Sequence, residues 1–198
     1  MSGDNDSTRD RIRDAARAEF AAVGFSGARV DAIARRAACN KQLIYHYFGD
    51  KAGLYEAVVA ATLSERPPVQ LGSLADLSAS LGKVYDHHQK KSDWMRMLQW
   101  EALEVGSGAV VAAEQRRAHL MRACADLEKV QPTGWLPAGL HLPCFMLAVM
   151  AMMSFPFAFP QLVRLLTGYA PTDPEFKTRY LGVVRHLLFP RGTPAATD

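Results

Sequence analysis

Cysteine is scarce in this chain of 198 residues, and its placement argues against two common kinds of stabilising site. The three cysteines, Cys39, Cys124 and Cys144, are odd in number, widely spaced and without a CxxC pair. A disulfide framework or a zinc site is therefore not expected, and a reducing cytoplasm is the expected compartment. The histidines also lack metal-binding spacings such as HxxxH or HExxH, so we predict no metal and no cofactor.

Long uncharged segments are equally scarce. One run, residues 142–163, is long enough to span a bilayer. It is interrupted by Pro143, Pro156 and Pro160, which leave an unbroken helix only from Cys144 to Phe155. That length is typical of a buried core helix. The N-terminus is polar and charged, unlike a signal peptide, so no membrane partner is expected.

Strand-like alternation and internal repeats are absent, whereas apolar residues recur at helical spacing along most of the chain. We therefore predict an all-α fold. Gly24 should end the first helix, and Pro67-Pro68 is the best boundary between a small N-terminal unit and the rest. The predicted helices cover residues 7–24, 30–37, 41–48, 50–66, 74–90, 93–105, 109–130, 144–155, 160–167 and 174–189.

Positive charge is concentrated in one short window. The whole chain has a net charge of +3 and a pI of about 8.8. Residues 29–51 hold five basic and two acidic side chains, a surplus equal to that of the whole chain. Such a window is expected of a surface that faces phosphates, although basic residues on a helix pair more often form an ordinary solvated surface. The five basic residues are Arg29, Arg35, Arg36, Lys41 and Lys51.

Two short predicted helices, 30–37 and 41–48, are joined by a turn of three residues. This arrangement is typical of a helix-turn-helix, whose second helix enters the major groove of DNA while the first braces it. Asn40 suits the N-cap of the second helix. Ile44 and Phe48, four residues apart, should face inward.

The outward side chains of the second helix suit DNA recognition. Gln42 can form two hydrogen bonds with an adenine edge, and Lys41 can reach guanine or a phosphate. Tyr45 and Tyr47 offer hydroxyls to phosphates and rings to thymine methyls. Lys51, at the start of the next helix, is placed to meet a phosphate.

The same segment resembles the TetR family of bacterial repressors. The resemblance rests on VDAIARRA from Val30, on NKQLIYHYFGDKAGLY from Asn40, and on the preceding Phe20-(x)3-Gly24-Phe25 element. It implies about nine helices, with a three-helix DNA-binding domain at residues 1–52. Residues 53–198 would form an effector-binding and dimerisation domain, with the fourth helix as connector.

By position, the resemblance implies eight DNA contacts and shows two departures. Arg29 stands where the family usually has a capping Thr, so the second helix loses that cap. Ala38 stands where the family favours Gly, at a cost of up to about 1 kcal/mol if its backbone is left-handed. The implied contacts are Arg29, Asn40, Lys41, Gln42, Tyr45, His46, Tyr47 and Lys51.

Apolar and sulfur-containing side chains in the C-terminal two-thirds are candidates for an effector pocket. Methionine adapts to irregular ligands, but plain core packing explains any single residue as well. Glu101 or Glu104 could meet a cationic ligand, although exposed glutamates are more common. The pocket candidates are Trp94, Met97, Trp100, Glu101, Met121, Phe145, Met146, Met150, Met153 and Phe157.

A homodimer is expected because one module makes few DNA contacts. Two recognition helices about 34 to 36 Å apart would match a palindromic operator. Helices 144–155 and 174–189, packed against their mates, would form a four-helix interface. Its candidate residues are Phe176, Tyr180, Val183, Val184 and Leu187.

Two other classes of protein were weighed against a ligand-released repressor. An enzyme would need a nucleophilic Cys124 or Cys144 with His141, but no orienting acid lies near Cys144 in the sequence, so we predict no enzymatic activity. A DNA-architectural protein without an effector would differ by a DNA affinity that no ligand changes. Activation in place of repression is not excluded by the sequence.

Overall fold

The computed structural model describes residues 2–65, 67, 74–106, 108, 110–131, 136 and 139–188. Within these ranges the secondary structure is helical, with no strand, which confirms the all-α prediction. The predicted end of the last helix at Phe189 lies outside the described residues. The ten helices are α1 (Ser2–Gly27), α2 (Val30–Arg36), α3 (Lys41–Phe48), α4 (Lys51–Ser64), α5 (Leu74–Lys90), α6 (Ser92–Val105), α7 (Ala113–Val130), α8 (Leu142–Ala158), α9 (Pro160–Thr167) and α10 (Pro174–Leu188).

The chain divides into two compact units. The first comprises Met1–Glu65 and Asp93–Arg116, and the second comprises Arg66–Ser92 and Arg117–Asp198. Most of α6 thus belongs to the same unit as α1–α4. The predicted boundary between the DNA-binding domain and the effector-binding domain lies at residue 52. It is not the boundary between these two units, and it stays a prediction.

Helices α1–α4 of the first unit enclose an apolar core. Ile12, Phe20, Ile33 and Ile44 are fully buried, as the helical spacing of α1 and α3 predicts. The Phe20 ring meets Tyr55 of α4 edge to face, with ring centroids 4.9 Å apart. Burial of each such side chain stabilises the fold by about 1.5–3 kcal/mol, so the core holds α3 rigidly against α1 and α4.

Helix α1 departs from its prediction at both ends. It begins at Ser2, five residues before the predicted start at Ser7. At the other end it runs to Gly27, and Gly24 forms a kink with φ 75° and ψ 177° where the sequence predicts a stop. This backbone conformation is one that essentially only glycine adopts, and a Cβ atom here would also crowd Trp100 at 3.1 Å and the flexible end of Glu104 at 2.3 Å.

The second unit has its main core among α5, α8, α9 and α10. Tyr85 is fully buried beside Leu81, Met153 and Val163. Its hydroxyl donates a hydrogen bond of 2.7 Å to the carbonyl of Pro171, which satisfies the buried polar group. Burial raises the pKa of the Tyr85 hydroxyl well above its ordinary value, so the core keeps this side chain neutral.

Helix α8 continues to Ala158, beyond its predicted end at Phe155, and therefore contains Pro156. Proline lacks the N–H that would bond the carbonyl four residues earlier, that of Met152. The hydroxyl of Tyr180 on α10 donates to that carbonyl at 2.6 Å. The expected end at Phe155 was therefore wrong, since a side chain from a distant helix supplies the missing donor.

The length and composition of the helices bear on whether the chain could span a membrane. Among the described residues, no single helix is both long and apolar enough to cross a bilayer. Only α8 and α9 taken together meet that test, and an 84° bend separates them.

Candidate nucleic-acid interface

The turn and caps of the helix-turn-helix lie where the sequence predicts them. Oδ1 of Asn40 accepts a hydrogen bond of 2.8 Å from the N–H of Leu43, which caps α3. Oδ1 of Asp50 caps α4 in the same way through the N–H of Gly53, also at 2.8 Å. Ala38 in the turn has φ 49°, which is the left-handed conformation. At the other end of α3, the N–H of Gly49 donates to the carbonyl of Tyr45 at 2.9 Å, so both ends of α3 are fixed locally.

Three of the predicted contact residues are exposed on α3. Gln42, Tyr45 and His46 face solvent, and 46% of the Tyr45 side-chain surface remains accessible. Ile44 is fully buried on the opposite side. An exposed tyrosine on a rigid, capped helix offers DNA both a hydroxyl and an apolar ring face.

Lys41 is also exposed, but its charge is engaged. Its ammonium forms an ion pair of 2.6 Å with Oδ1 of Asp31 on α2. The hydrogen bond from Lys41 holds the pKa of the Asp31 carboxyl below its ordinary value. A phosphate or base that binds Lys41 must therefore compete with Asp31 or share the ammonium with it.

Arg29 occupies the N-cap of α2 in extended conformation and forms no capping hydrogen bond with its side chain. This agrees with the loss of the family's capping threonine. Asp31 stands in the first turn of α2, where its charge is favourable to the helix dipole. The Arg29 side chain is exposed beside the start of α2 and is free to reach a phosphate.

Two predicted contacts have partners within the protein. Asn40 uses its carbonyl oxygen for the cap, so its amide NH₂ is the part left for DNA. The half-buried ring of Tyr47 lies 5.4 Å from the ring of His46 and 6.2 Å from that of Phe48, centroid to centroid. These ring contacts orient the Tyr47 side chain, and its contact with DNA stays a prediction.

Lys51 has a different place from the one expected. Its ammonium donates to the carbonyls of Phe25 and Ala28, at 2.9 and 3.2 Å, and lies 4.6 Å from the centroid of the Phe25 ring. Lys51 thus ties the start of α4 to the turn that precedes α2. Two of the three ammonium donors are thus used inside the protein, and the predicted phosphate contact of Lys51 stays a prediction.

Further bracing comes from Arg11 and Arg96, which the sequence did not indicate, and from Glu104, which was a candidate for a cationic ligand. Arg96 of α6 donates to the carbonyl of Ala21 at 2.9 Å, and Glu104 accepts from the N–H of Ser26 at 3.2 and 3.3 Å. Arg11 donates to the carbonyl of Ala37 at 2.8 Å. These contacts join positions 26 to 78 residues apart, so local spacing gives no signal for them. Glu104 is occupied as a structural acceptor.

Glu101 is likewise engaged inside the first unit. Its carboxylate accepts two hydrogen bonds from Arg116, at 2.6 and 3.1 Å, and both side chains are nearly 90% buried. The guanidinium lies 5.2 Å from the Trp94 ring. Removing one partner of a buried pair leaves an uncompensated charge, so Glu101 acts first as the counter-ion of Arg116.

The ten pocket candidates divide between the two units. In the first unit Trp94 and Met97 are buried, while Trp100 and Glu101 are half-buried. In the second unit, the remaining candidates range from exposed to fully buried. Met121 is exposed, Met150 is half-buried, Phe145 and Met146 pack against a small cluster with Leu142, and Met153 and Phe157 belong to the Tyr85 core. The effector pocket stays a prediction.

The predicted dimer stripe on α10 is only partly available to a partner. Phe176 and Val184 are buried in the core of the second unit, and Tyr180 is half-buried with its hydroxyl bonded to Met152. Val183 and Leu187 are exposed, by 56% and 63%. Burial within the monomer thus removes Phe176 and Val184 from a direct contact surface, and the exposed pair remains.

His141, which an enzyme would need as the partner of a nucleophilic cysteine, has a structural role. Nδ1 of His141 accepts from the N–H of Cys144 at 3.4 Å and caps α8, so it is the backbone of Cys144 that meets the histidine. In the part of the chain that the structure describes, no three His, Cys, Asp or Glu side chains are grouped to hold a metal ion.

Comparison with known proteins agrees with this geometry. Residues 12–58 match the model of the bacterial regulatory proteins of the tetR family, and residues 76–181 match the tetracyclin repressor-like C-terminal domain. The chain is 32% identical, over 83% of its length and 86% of the relative's, to the HTH-type transcriptional repressor SCO4008 of Streptomyces coelicolor. The chain belongs to the TetR family. It is a DNA-binding transcriptional regulator, as the helix-turn-helix predicts.

Two further similarities support the assignment to the TetR family. The HTH-type transcriptional repressor NicS of Pseudomonas putida is 31% identical over 51% of each chain. The crystal structure of the transcriptional regulator SCO4942 of Streptomyces coelicolor superposes with a TM-score of 0.76 at 28% identity, over 93% of this chain and 99% of that one. The TetR N-terminal match contains every DNA-contact candidate named above.

Proposed function

We propose that this TetR regulator represses transcription by binding a palindromic operator as a homodimer, and that a small apolar or amphipathic ligand releases it. The observation that carries the DNA-binding part is the exposed face of α3. Gln42, Tyr45 and His46 project from a helix capped at both ends and anchored by the buried Ile44. Such a rigid, polar second helix is what major-groove recognition requires.

The contact surface that we propose has a centre and an edge. Lys41, Gln42, Tyr45 and His46 form its centre, where bases are read. Arg29, the amide of Asn40 and Tyr47 form its edge, where phosphates fix the register of the protein on DNA.

Dimerisation is supported by the apolar surface left on the second unit. Val183 and Leu187 of α10 are exposed, as are Leu147 and Phe155 of α8. Several exposed large apolar side chains on two neighbouring segments are unusual for a monomer and suit a helix-to-helix interface. Sedimentation at micromolar concentration should find a dimer, and a monomer there would contradict this proposal.

Release by a ligand is supported by the composition of the second unit. The half-buried Met146, Met150 and Phe157 provide adaptable apolar surface, and pockets for small molecules are mostly apolar. Two of the relatives, SCO4008 and NicS, are named repressors, which favours repression over activation.

Selection of bound fragments from genomic DNA, repeated in the presence of candidate ligands, tests the proposal. A palindromic consensus whose binding one ligand class abolishes is the expected result. A consensus that no ligand affects would favour a DNA-architectural protein, and no enriched sequence at all would contradict operator recognition.

A further inference from the structure

We infer that the DNA-contacting surface continues from α3 onto the first turns of α1, where Arg9 binds a backbone phosphate at the edge of the major groove. The inference deepens the proposed function and rests on it. Neither the spacing of the helix-turn-helix nor the family resemblance points to Arg9. Its position in the folded chain does.

Arg9 lies against the C-terminal end of the recognition helix. The carbon of its guanidinium is 5.7 Å from the centroid of the Phe48 ring, and Phe48 is the last residue of α3. The Phe48 ring in turn contacts Tyr47, and Tyr47 contacts His46. Arg9 therefore lies beside the C-terminal end of α3, next to its half-buried last residue.

Arg9 differs from Arg13 and Arg17 of the same helix, whose charges are each paired with a carboxylate. Arg13 pairs with Asp10 at 2.9 Å, and Arg17 pairs with Asp14 at 2.8 Å. Arg9 is exposed, and among the carboxylates whose side chains the structure describes, none forms an ion pair with it. A free guanidinium beside the recognition helix is complementary to the phosphates that flank the groove.

The exposure of Arg9 leaves its N–H donors open to a ligand from solvent. A planar guanidinium matches a phosphate in a two-pronged hydrogen bond. Arg9 borders an open groove of about 430 Å³ between α1 and α4. The groove is also lined by Ala57, Ala60 and Ala61, whose side chains are small, and by Glu65, whose carboxylate pairs with Arg17.

The substitution Arg9→Gln tests the inference in the full chain. The probe is a random-sequence duplex of about 30 base pairs, long enough for two half-sites, and the dissociation constant is measured by fluorescence anisotropy as a function of salt. Loss of one phosphate contact should lower the slope of log affinity against log salt by about 0.9 for each bound protomer. The affinity should fall by a similar factor, roughly threefold to tenfold, for the random duplex and for a selected operator.

Two further variants serve as controls. Arg117→Gln removes the same charge from an exposed site on α7 and should leave the slope near that of the wild type. Arg9→Lys keeps a cation and should retain most of the slope. Unchanged circular dichroism and melting temperature of Arg9→Gln are expected because the side chain is exposed.

An Arg9→Gln chain that binds both duplexes like Arg117→Gln would overturn the inference. So would a loss confined to the operator, since that pattern marks a base contact and not a phosphate contact. Tyr45→Ala, measured in parallel, distinguishes a failure of the Arg9 proposal from a failure of the proposed role of α3. If Tyr45→Ala loses operator binding while Arg9→Gln does not, only the role of Arg9 fails. If neither loses it, the assignment of α3 fails as well.

Discussion

Replacing Ala38 with glycine should make the helix-turn-helix more stable. Ala38 lies in the turn between α2 and α3 with φ 49°, and its side chain is exposed, so glycine would remove no buried contact. A left-handed backbone costs an L-residue with a Cβ atom about 1–2 kcal/mol. Glycine avoids that cost, but it gives the unfolded chain more conformational freedom. That freedom lowers the free energy of unfolding by about 0.5–1 kcal/mol. The net gain in the free energy of unfolding should be about 0.5–1 kcal/mol.

Thermal and urea unfolding followed by circular dichroism measure this gain. For a chain of this size, 0.5–1 kcal/mol corresponds to a rise in melting temperature of roughly 1–4 °C. Ala60→Gly is a matched control, because Ala60 is exposed in the interior of α4. There the same substitution should cost about 1 kcal/mol.

Opposite signs for the two substitutions are the decisive result. If Ala38→Gly destabilises the chain as much as Ala60→Gly does, then Ala38 is not strained in solution. The physical explanation of this departure from the family's usual glycine would then be wrong.

Three other substitutions should have measurable consequences. Asp31→Asn frees Lys41 from its ion pair and should tighten DNA binding severalfold, with a steeper salt dependence. Weaker binding in a gel-shift titration would contradict this and show that Asp31 supports the interface. Tyr180→Phe leaves the carbonyl of Met152 without its donor and should lower the free energy of unfolding by about 1–3 kcal/mol, and unchanged urea unfolding would refute the role of this hydroxyl. Stability should fall as pH rises above 10.0, the ordinary pKa of tyrosine, because the folded chain retains the proton of Tyr85 that the unfolded chain releases. Tyr85→Phe should make that fall shallower, and an equally steep fall would contradict the assignment.

The helix-turn-helix is predictable from sequence because its signals are local. The cap at Asn40 and the break at Gly49-Asp50 lie within a few residues of the ends of α3, and the structure has α3 from Lys41 to Phe48, as predicted. Ile44 is buried and Tyr45 exposed for the same reason, since the helical period alone sets their faces.

The features that sequence reasoning missed depend on contacts between distant positions. Pro156 would end α8 on local grounds, but Tyr180 lies 28 residues from the carbonyl that it satisfies. Lys51 also donates to two carbonyls 23 and 26 residues away, and its position at a helix start gives no signal for these bonds. Only the folded chain brings these partners together.

The apolar stripe of α10 illustrates a different limit. Periodicity identifies Phe176, Val183, Val184 and Leu187 as apolar positions of one helix, but it does not say which of them the chain itself covers. The structure buries Phe176 and Val184 and exposes Val183 and Leu187. The surface available to a second copy is therefore narrower than the stripe.

The central claim is that α3 carries DNA recognition, and gel-shift titration of the Tyr45→Ala and Lys41→Ala chains tests it most directly. The DNA is the fragment selected by the wild-type chain. The account predicts a marked loss of affinity for both variants, with circular dichroism and sedimentation unchanged because both side chains are exposed. Wild-type affinity in both variants would contradict it.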